Sequence, residues 1–228
     1  MDLAEIAARI DHTALYPDLD EAGVRRLCDE ARRYGFFRVF IPPCRVPLAA
    51  KLLGQTPAKV GSVVGFPFGY AASDSKAAEA ARLVEAGAAD IDMVINLGWI
   101  KDGRWAEVAA DIAAVRVAAK EVKASFEVTL KVIIETALLN EDEKVRAART
   151  VKEAGADYVK TSTGYAGGGA VAADVALLRS TVGSSFGVKA SGGIRTAAQL
   201  HEMLAAGADR IGTSAGAAII EEEAGRAR

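Results

Sequence analysis

The segment Val159-Lys160-Thr161-Ser162-Thr163-Gly164 puts a lysine at the end of a short apolar strand, then small hydroxyl residues, then a glycine. Val188-Lys189-Ala190-Ser191-Gly192-Gly193 repeats the design about one strand later. A buried ammonium is destabilising unless it has a partner or a task. Two lysines at matching strand ends point to amine chemistry, one as nucleophile and the other lowering its pKa. A free lysine, with a pKa of ~10.4, holds about 0.1% or less neutral amine at pH 7. Neighbouring strands lie ~4.8 Å apart, and a second ammonium at ~5 Å costs about 3 kcal/mol at an effective dielectric of ~20. That lowers the first pKa by roughly two units. Spacing does not decide which of Lys160 and Lys189 attacks.

Other polar residues fall where strands are expected: Asp11 and His12 on the first, Asp92 and Asn96 on the fourth, Lys131 and Glu135 on the fifth. The period of two puts Asp92, Val94 and Asn96 on one face, with Ile91 and Met93 on the other. Lys131 suits catalysis or a structural ion pair with a strand neighbour equally well. Glycine-rich loops (Gly164, Gly167–Gly169, Gly192-Gly193, and Gly212 before Thr213-Ser214) suggest backbone N–H groups for a phosphate, and Arg195 could add a charged contact. The plainer reading of each run is an ordinary loop. His12 beside Asp11 reads as support for the first strand, and His201 as helix surface. No Ser-His-Asp set and no metal site is apparent.

Positioning these groups needs strands and helices in alternation. A loose repeat supplies them: Glu85-Ala86-Gly87-Ala88-Ala89-Asp90, Glu153-Ala154-Gly155-Ala156-Asp157 and Ala205-Ala206-Gly207-Ala208-Asp209 each read as a helix end, a glycine turn and a strand start. Strands are expected at Ile10–Leu15, Phe36–Ile41, Lys59–Gly65, Ile91–Ile95, Phe126–Ile134, Asp157–Thr161, Phe186–Ala190 and Arg210–Thr213. Helices are expected at Glu21–Tyr34, Val46–Leu53, Ser73–Glu85, Trp105–Lys123, Glu141–Ala154, Val171–Thr181 and Thr196–Ala205, with Asp20, Ser73, Asn140 and Thr196 as N-caps. Eight such units predict a single (β/α)8 TIM barrel over residues 1–228, with its site at the C-terminal strand ends. An open doubly wound sheet is the alternative, but no Gly-x-Gly-x-x-Gly follows the first strand. Glu221 to Arg228 read as a frayed tail.

Bulk properties agree. The chain has 228 residues and a net charge of -2, which gives no reason to expect nucleic acid or an anionic membrane as partner. No apolar run reaches the ~18 residues of a membrane span. The early acids Asp2 and Glu5 do not resemble a signal peptide, so a cytoplasmic protein is expected. Cys28 and Cys44 have no metal-like spacing and read as two reduced, buried thiols.

Along nearly its whole length the chain resembles the deoxyribose-phosphate aldolases, Schiff-base aldolases on a (β/α)8 barrel. The resemblance is carried by Ile10-Asp11-His12-Thr13, Val64-Gly65-Phe66-Pro67, Ile91-Asp92-Met93-Val94-Ile95-Asn96, Lys131-Val132-Ile133-Ile134-Glu135-Thr136, the Lys160 motif and Lys189-Ala190-Ser191-Gly192-Gly193-Ile194-Arg195. It implies reversible cleavage of 2-deoxy-D-ribose 5-phosphate to acetaldehyde and D-glyceraldehyde 3-phosphate, with Lys160 as the Schiff-base lysine. Asp92 and Lys189 would be the proton carriers, and Lys131, Asp11 and Thr161 would belong to the pocket. Gly192, Gly193 and Ser214 would hold the phosphate, and the loop reading adds Gly164 and Arg195 to that site. It implies no metal or organic cofactor, small sugar phosphates and aldehydes as the only partners, and a homodimer or homotetramer. Two departures stand out. Phe40-Ile41-Pro42-Pro43 replaces a common Cys-x-Asn-Pro run, and Tyr16 replaces a common lysine.

Two other functions fit a barrel with phosphate loops. A sugar-phosphate isomerase would want a glutamate base and form no imine, and a regulatory barrel would bind without turnover.

Overall fold

The computed structural model describes residues 1–122 and 128–226. Eight strands form a closed parallel barrel in chain order: β1 (Ile10–Thr13), β2 (Arg38–Phe40), β3 (Lys59–Val64), β4 (Ala88–Val94), β5 (Thr129–Ile133), β6 (Tyr158–Lys160), β7 (Gly187–Ser191) and β8 (Arg210–Thr213). β8 closes on β1 with Ile10 opposite Ile211. The predicted (β/α)8 barrel is the observed one. The expected strand start at Phe126 and helix end at Lys123 lie outside the described residues.

The helices are α1 (Leu3–Arg9), α2 (Glu21–Tyr34), α3 (Val46–Leu53), α4 (Ser73–Glu85), α5 (Leu97–Lys101), α6 (Trp105–Val122), α7 (Glu141–Glu153), α8 (Ala172–Val182), α9 (Ala197–Ala205) and α10 (Gly216–Arg226). Local chemistry sets their starts. Asp20 accepts the Gly23 amide at 2.7 Å, and Asn140 and Thr196 form capping boxes with Glu143 and Gln199. Such caps are each worth about 1 kcal/mol. The expected cap Ser73 is instead the first helical residue of α4, because Ala72 holds the extended cap conformation without a side-chain bond. Gly87, Gly155 and Gly207 all have positive φ, as the repeat requires.

Three elements depart from the sequence reading. α1 was not expected; it is started by a capping box between Asp2 and Glu5. Asn96 is not a strand residue but the N-cap of α5, accepting the Trp99 amide at 3.2 Å. The expected frayed tail is mostly α10, held because Ile219 and Ile220 pack into the core. The thiols also differ: Cys28 is buried, but Cys44 is exposed in a short 3-10 turn, Pro43–Arg45, after β2.

Burial follows the strand period. Ile91, Met93 and Val132 face the helices and join the main apolar core, each contributing ~1.5–3 kcal/mol by leaving water. The alternate residues enter the barrel, where branched apolar layers are usual. Here the interior is charged instead: Asp11, Asp90, Asp92, Lys131, Lys160 and Lys189 are all buried. Among the described residues no helix is long and apolar enough to cross a membrane.

Candidate active site

Strand register brings the charged residues together. Lys160 stands opposite Lys189 across β6 and β7, and Asp92 opposite Lys131 across β4 and β5. Backbone bonds hold the lysine-bearing strand ends in place, with the Ile134 amide donating to Lys160 O at 3.0 Å and the Thr161 amide to Lys189 O at 3.1 Å.

Asp92 is the hub. Its Oδ2 accepts from Lys160 Nζ at 2.8 Å and from Lys189 Nζ at 2.7 Å. Its Oδ1 lies 3.3 Å from Lys131 Nζ, an ion-pair contact without hydrogen-bond alignment. Lys189 also meets Asp11 Oδ2 at 2.5 Å, again as an ion pair alone. One layer deeper, Lys131 bonds Asp90, which also pairs with Arg38, and Arg210 reaches Asp11 at 3.1 Å.

These contacts set the protonation states. Burial would raise the Asp92 carboxyl, but Lys160, Lys189 and Lys131 outweigh it and hold the group well below the ordinary carboxylate range. Asp11 is likewise kept ionised, with burial overcome by Lys189, Lys131 and Arg210. Burial opposes the charge on Lys131, yet Asp90, Asp92 and Asp11 raise its pKa above the ordinary value. Lys160 behaves differently. Burial first, and then the charges of Lys189 and Lys131, lower it to about 8 against the pull of Asp92. The two-lysine argument from sequence finds the right direction, but desolvation is the larger cause.

Access separates the lysines further. A cavity of about 350 Å³ opens at the C-terminal mouth, and Lys160 lines it whereas Lys189 and Lys131 do not. Gly164, Gly192, Gly193, Arg195 and Ser214, all expected in a phosphate site, line the same cavity. Gly164, Gly192 and Gly193 have φ of 85°, 91° and 79°. These are conformations that glycine adopts at no steric cost.

The other expected pocket residues sit elsewhere. Asp11 and Lys131 lie beneath the cavity, because Lys131 is in register with Tyr158, two residues before Lys160. Thr161 turns away by the strand period, and its hydroxyl bonds the Ser191 backbone. Thr163 lines the cavity in its place. His12 faces outward, bonded to Glu30 at 2.6 Å and set against Phe36, and His201 meets Glu223 at 3.1 Å. Burial, partly offset by Glu30, lowers the His12 pKa. Pro42 and Pro43 border a neighbouring cavity of about 300 Å³, so that departure from the usual run lies outside the one that Lys160 lines.

Sequence reasoning passed over Asp90, Arg38 and Arg210. Asp90 carried a signal, since Asp90-Ile91-Asp92 obeys the strand period, but the repeat assigns it to a turn.

A parallel barrel with a low-pKa lysine at the foot of a glycine-lined mouth defines an aldolase type of barrel enzyme. The chain belongs to the DeoC/LacD family aldolases, whose pattern it matches over residues 6–222. A deoxyribose-phosphate aldolase of Geobacillus sp. is 50% identical over 216 residues, covering 95% of this chain and 95% of that protein. One from Caldanaerobacter subterraneus subsp. tengcongensis is 48% identical over 220 residues, covering 96% and 94%. The structure of the tetrameric deoxyribose phosphate aldolase from Aeropyrum pernix superposes with a TM-score of 0.90 at 34% identity, covering 98% of this chain and 92% of that one.

Proposed function

We propose that this protein is a deoxyribose-phosphate aldolase that reversibly cleaves 2-deoxy-D-ribose 5-phosphate to acetaldehyde and D-glyceraldehyde 3-phosphate. The observation that carries the lysine assignment is Lys160, which combines a pKa of about 8 with a place in the mouth cavity.

In this reading neutral Lys160 attacks the C1 aldehyde of the open-chain sugar. The carbinolamine loses water to give an iminium, which draws electrons from the C2–C3 bond. That bond breaks as the C3 hydroxyl gives up its proton, releasing glyceraldehyde 3-phosphate and leaving an enamine at C1–C2. Protonation at C2 and hydrolysis free acetaldehyde and regenerate the amine. Asp92 touches Lys160 directly and carries protons with Lys189 and water. Lys131 and Asp11 act from below by holding Asp92 and Lys189 in charge balance. The loops bearing Gly164, Gly192, Gly193, Arg195 and Ser214 take the phosphate and turn its binding energy into orientation.

The isomerase alternative needs a free glutamate. Glu135 does not line the cavity, and its Oε2 is taken by the Thr163 amide at 3.0 Å and hydroxyl at 2.5 Å. The reading includes a homodimer or homotetramer, supported by the tetrameric relative from Aeropyrum pernix. It also includes a cytoplasmic location, with which two free thiols accord.

The test is incubation with deoxyribose 5-phosphate and borohydride, followed by peptide mapping. A reduced two-carbon or sugar adduct on Lys160 is expected. An adduct on Lys189 or Lys131, or none, overturns the assignment.

A further inference from the structure

Phe40 ends β2 and turns its ring into the barrel, where it is buried. The ring centroid lies 3.8 Å from Lys189 Nζ and 4.7 Å from Lys131 Nζ. The ring has room because its register partner on β3 is Gly61; a β-carbon there would collide with it. Phe40 does not line the mouth cavity, so whatever it does passes through the lysines.

An aromatic face attracts an ammonium through its quadrupole, most strongly where water is excluded. Lys189 is therefore caged, with the ring on one side and Asp11 and Asp92 at 2.5 and 2.7 Å on the others. Lys131 has Asp90, Asp92 and Asp11 around it, with the Phe40 ring and, at 5.8 Å, the Tyr158 ring. Lys160 shares Asp92, but among the described residues no ring faces it. The cluster sets five cationic side chains (Arg38, Lys131, Lys160, Lys189, Arg210) against three carboxylates (Asp11, Asp90, Asp92). Some positive charge is unmatched, and the amine with the fewest attractive contacts gives it up most easily.

We propose that Phe40 is a positioning residue whose ring face holds positive charge on Lys189 and Lys131, so that Lys160 is the amine of the cluster that sheds its proton. The proposal rests on the reading of Lys160 as nucleophile. With a weaker ring, charge is held less well on Lys189 and Lys131. The proton that leaves the cluster then comes from Lys189 as well as from Lys160, while the three carboxylates keep Lys131 charged, and the neutral fraction of Lys160 falls.

The experiment replaces Phe40 with 4-fluoro-, 3,5-difluoro- and 3,4,5-trifluorophenylalanine, which drain the ring face of negative potential while nearly keeping its shape. Imine on Lys160 is trapped with cyanoborohydride and deoxyribose 5-phosphate from pH 6 to 10 and quantified by peptide mapping. Trapping at pH 7 should fall stepwise along the series, by about threefold to tenfold in all, with recovery at high pH. Phe40→Leu, which removes the face altogether, should lie at or beyond the end of the series. A pH profile that stays put across the three fluorinated proteins overturns the inference while leaving Lys160 as nucleophile. Absence of adduct on Lys160 in the unsubstituted protein overturns both. A loss in Phe40→Leu alone, without a graded fluorine effect, assigns the ring to packing and also overturns the inference.

Discussion

Lys160 and Lys189 face each other across β6 and β7, and their amines meet at one atom, Oδ2 of Asp92. A shared acceptor keeps two cations close that would otherwise repel. It also makes their protonation interdependent, since whatever changes one changes the hold of Asp92 on the other. The two differ in access, because only Lys160 of the pair reaches the cavity.

With a pKa of about 8, roughly a tenth of Lys160 is neutral at pH 7, on the order of 200-fold more than for an ordinary lysine. The neutral form is the one above the pKa, so imine trapping should rise with pH through about 8 and level off near pH 9. Quantitative mapping of the reduced adduct across pH checks this. A midpoint near the ordinary lysine value would show that burial does not tune this amine.

Lys189→Met removes a like charge and leaves Asp92 to Lys160 and Lys131. Both changes favour the ammonium of Lys160. The trapping midpoint should move up by about one unit, with the adduct still on Lys160. Turnover should fall further than trapping, since a proton carrier is also lost. An unmoved midpoint with near-normal turnover would reduce Lys189 to a structural role.

Asp92→Asn has the opposite sign on Lys160, because the carboxylate is what raises its pKa. Trapping at pH 7 should persist or improve while kcat for cleavage drops by ~100-fold or more, the usual scale for losing an acid–base group. The variant also leaves buried ammonium groups short of a partner, at a cost of about 3 kcal/mol and a Tm lower by roughly 6–12 °C. Retained cleavage would move the proton transfer to another group.

The barrel was legible because its signals are local and repeated. Gly87, Gly155 and Gly207 mark the ends of α4, α7 and α9, and alternation in Asp92–Val94 fixes which side chains enter the barrel. Lys160, Lys189 and Asp92 were legible as strand-end charges. Their connection through one oxygen was not, since register between strands remote in sequence depends on closure of the whole sheet. Thr161 was misplaced for a local reason, as the alternation that turns Lys160 inward turns it outward. Arg38 and Arg210 were passed over, because only three-dimensional contact ties them to Asp90 and Asp11.

The phosphate reading separates binding from chemistry. Arg195→Ala should raise KM for deoxyribose 5-phosphate by about tenfold, the loss of one charged contact. It should barely change the slower turnover of unphosphorylated deoxyribose. Steady-state kinetics on the two sugars decides it, and equal losses on both would place Arg195 outside a phosphate site.

Glu135 separates an aldolase from an isomerase. It holds a left-handed backbone, φ 53°, rare for a residue with a side chain. Its Oε2 takes both the amide and the hydroxyl of Thr163. The Thr163 hydroxyl then accepts the Tyr165 amide at 3.0 Å, and the Tyr165 hydroxyl donates to Leu15 O at 2.6 Å. This chain of bonds ties the loop after β6 to the end of β5 and the loop after β1, across the cavity mouth. Oε2 is thus a clamp, whereas Oε1 is buried without a hydrogen-bond partner and the residue does not line the cavity. Glu135→Gln keeps an oxygen for the Thr163 amide, so kcat should stay within about threefold, the loss expected for one weakened hydrogen bond. Glu135→Ala frees the loop and should raise KM by about tenfold through lost orientation. Neither should move the pH midpoint of Lys160 trapping, because Glu135 lies outside the lysine cluster. A drop of ~1000-fold or more in Glu135→Gln, with trapping intact, would make Glu135 a catalytic base and return the isomerase chemistry to contention.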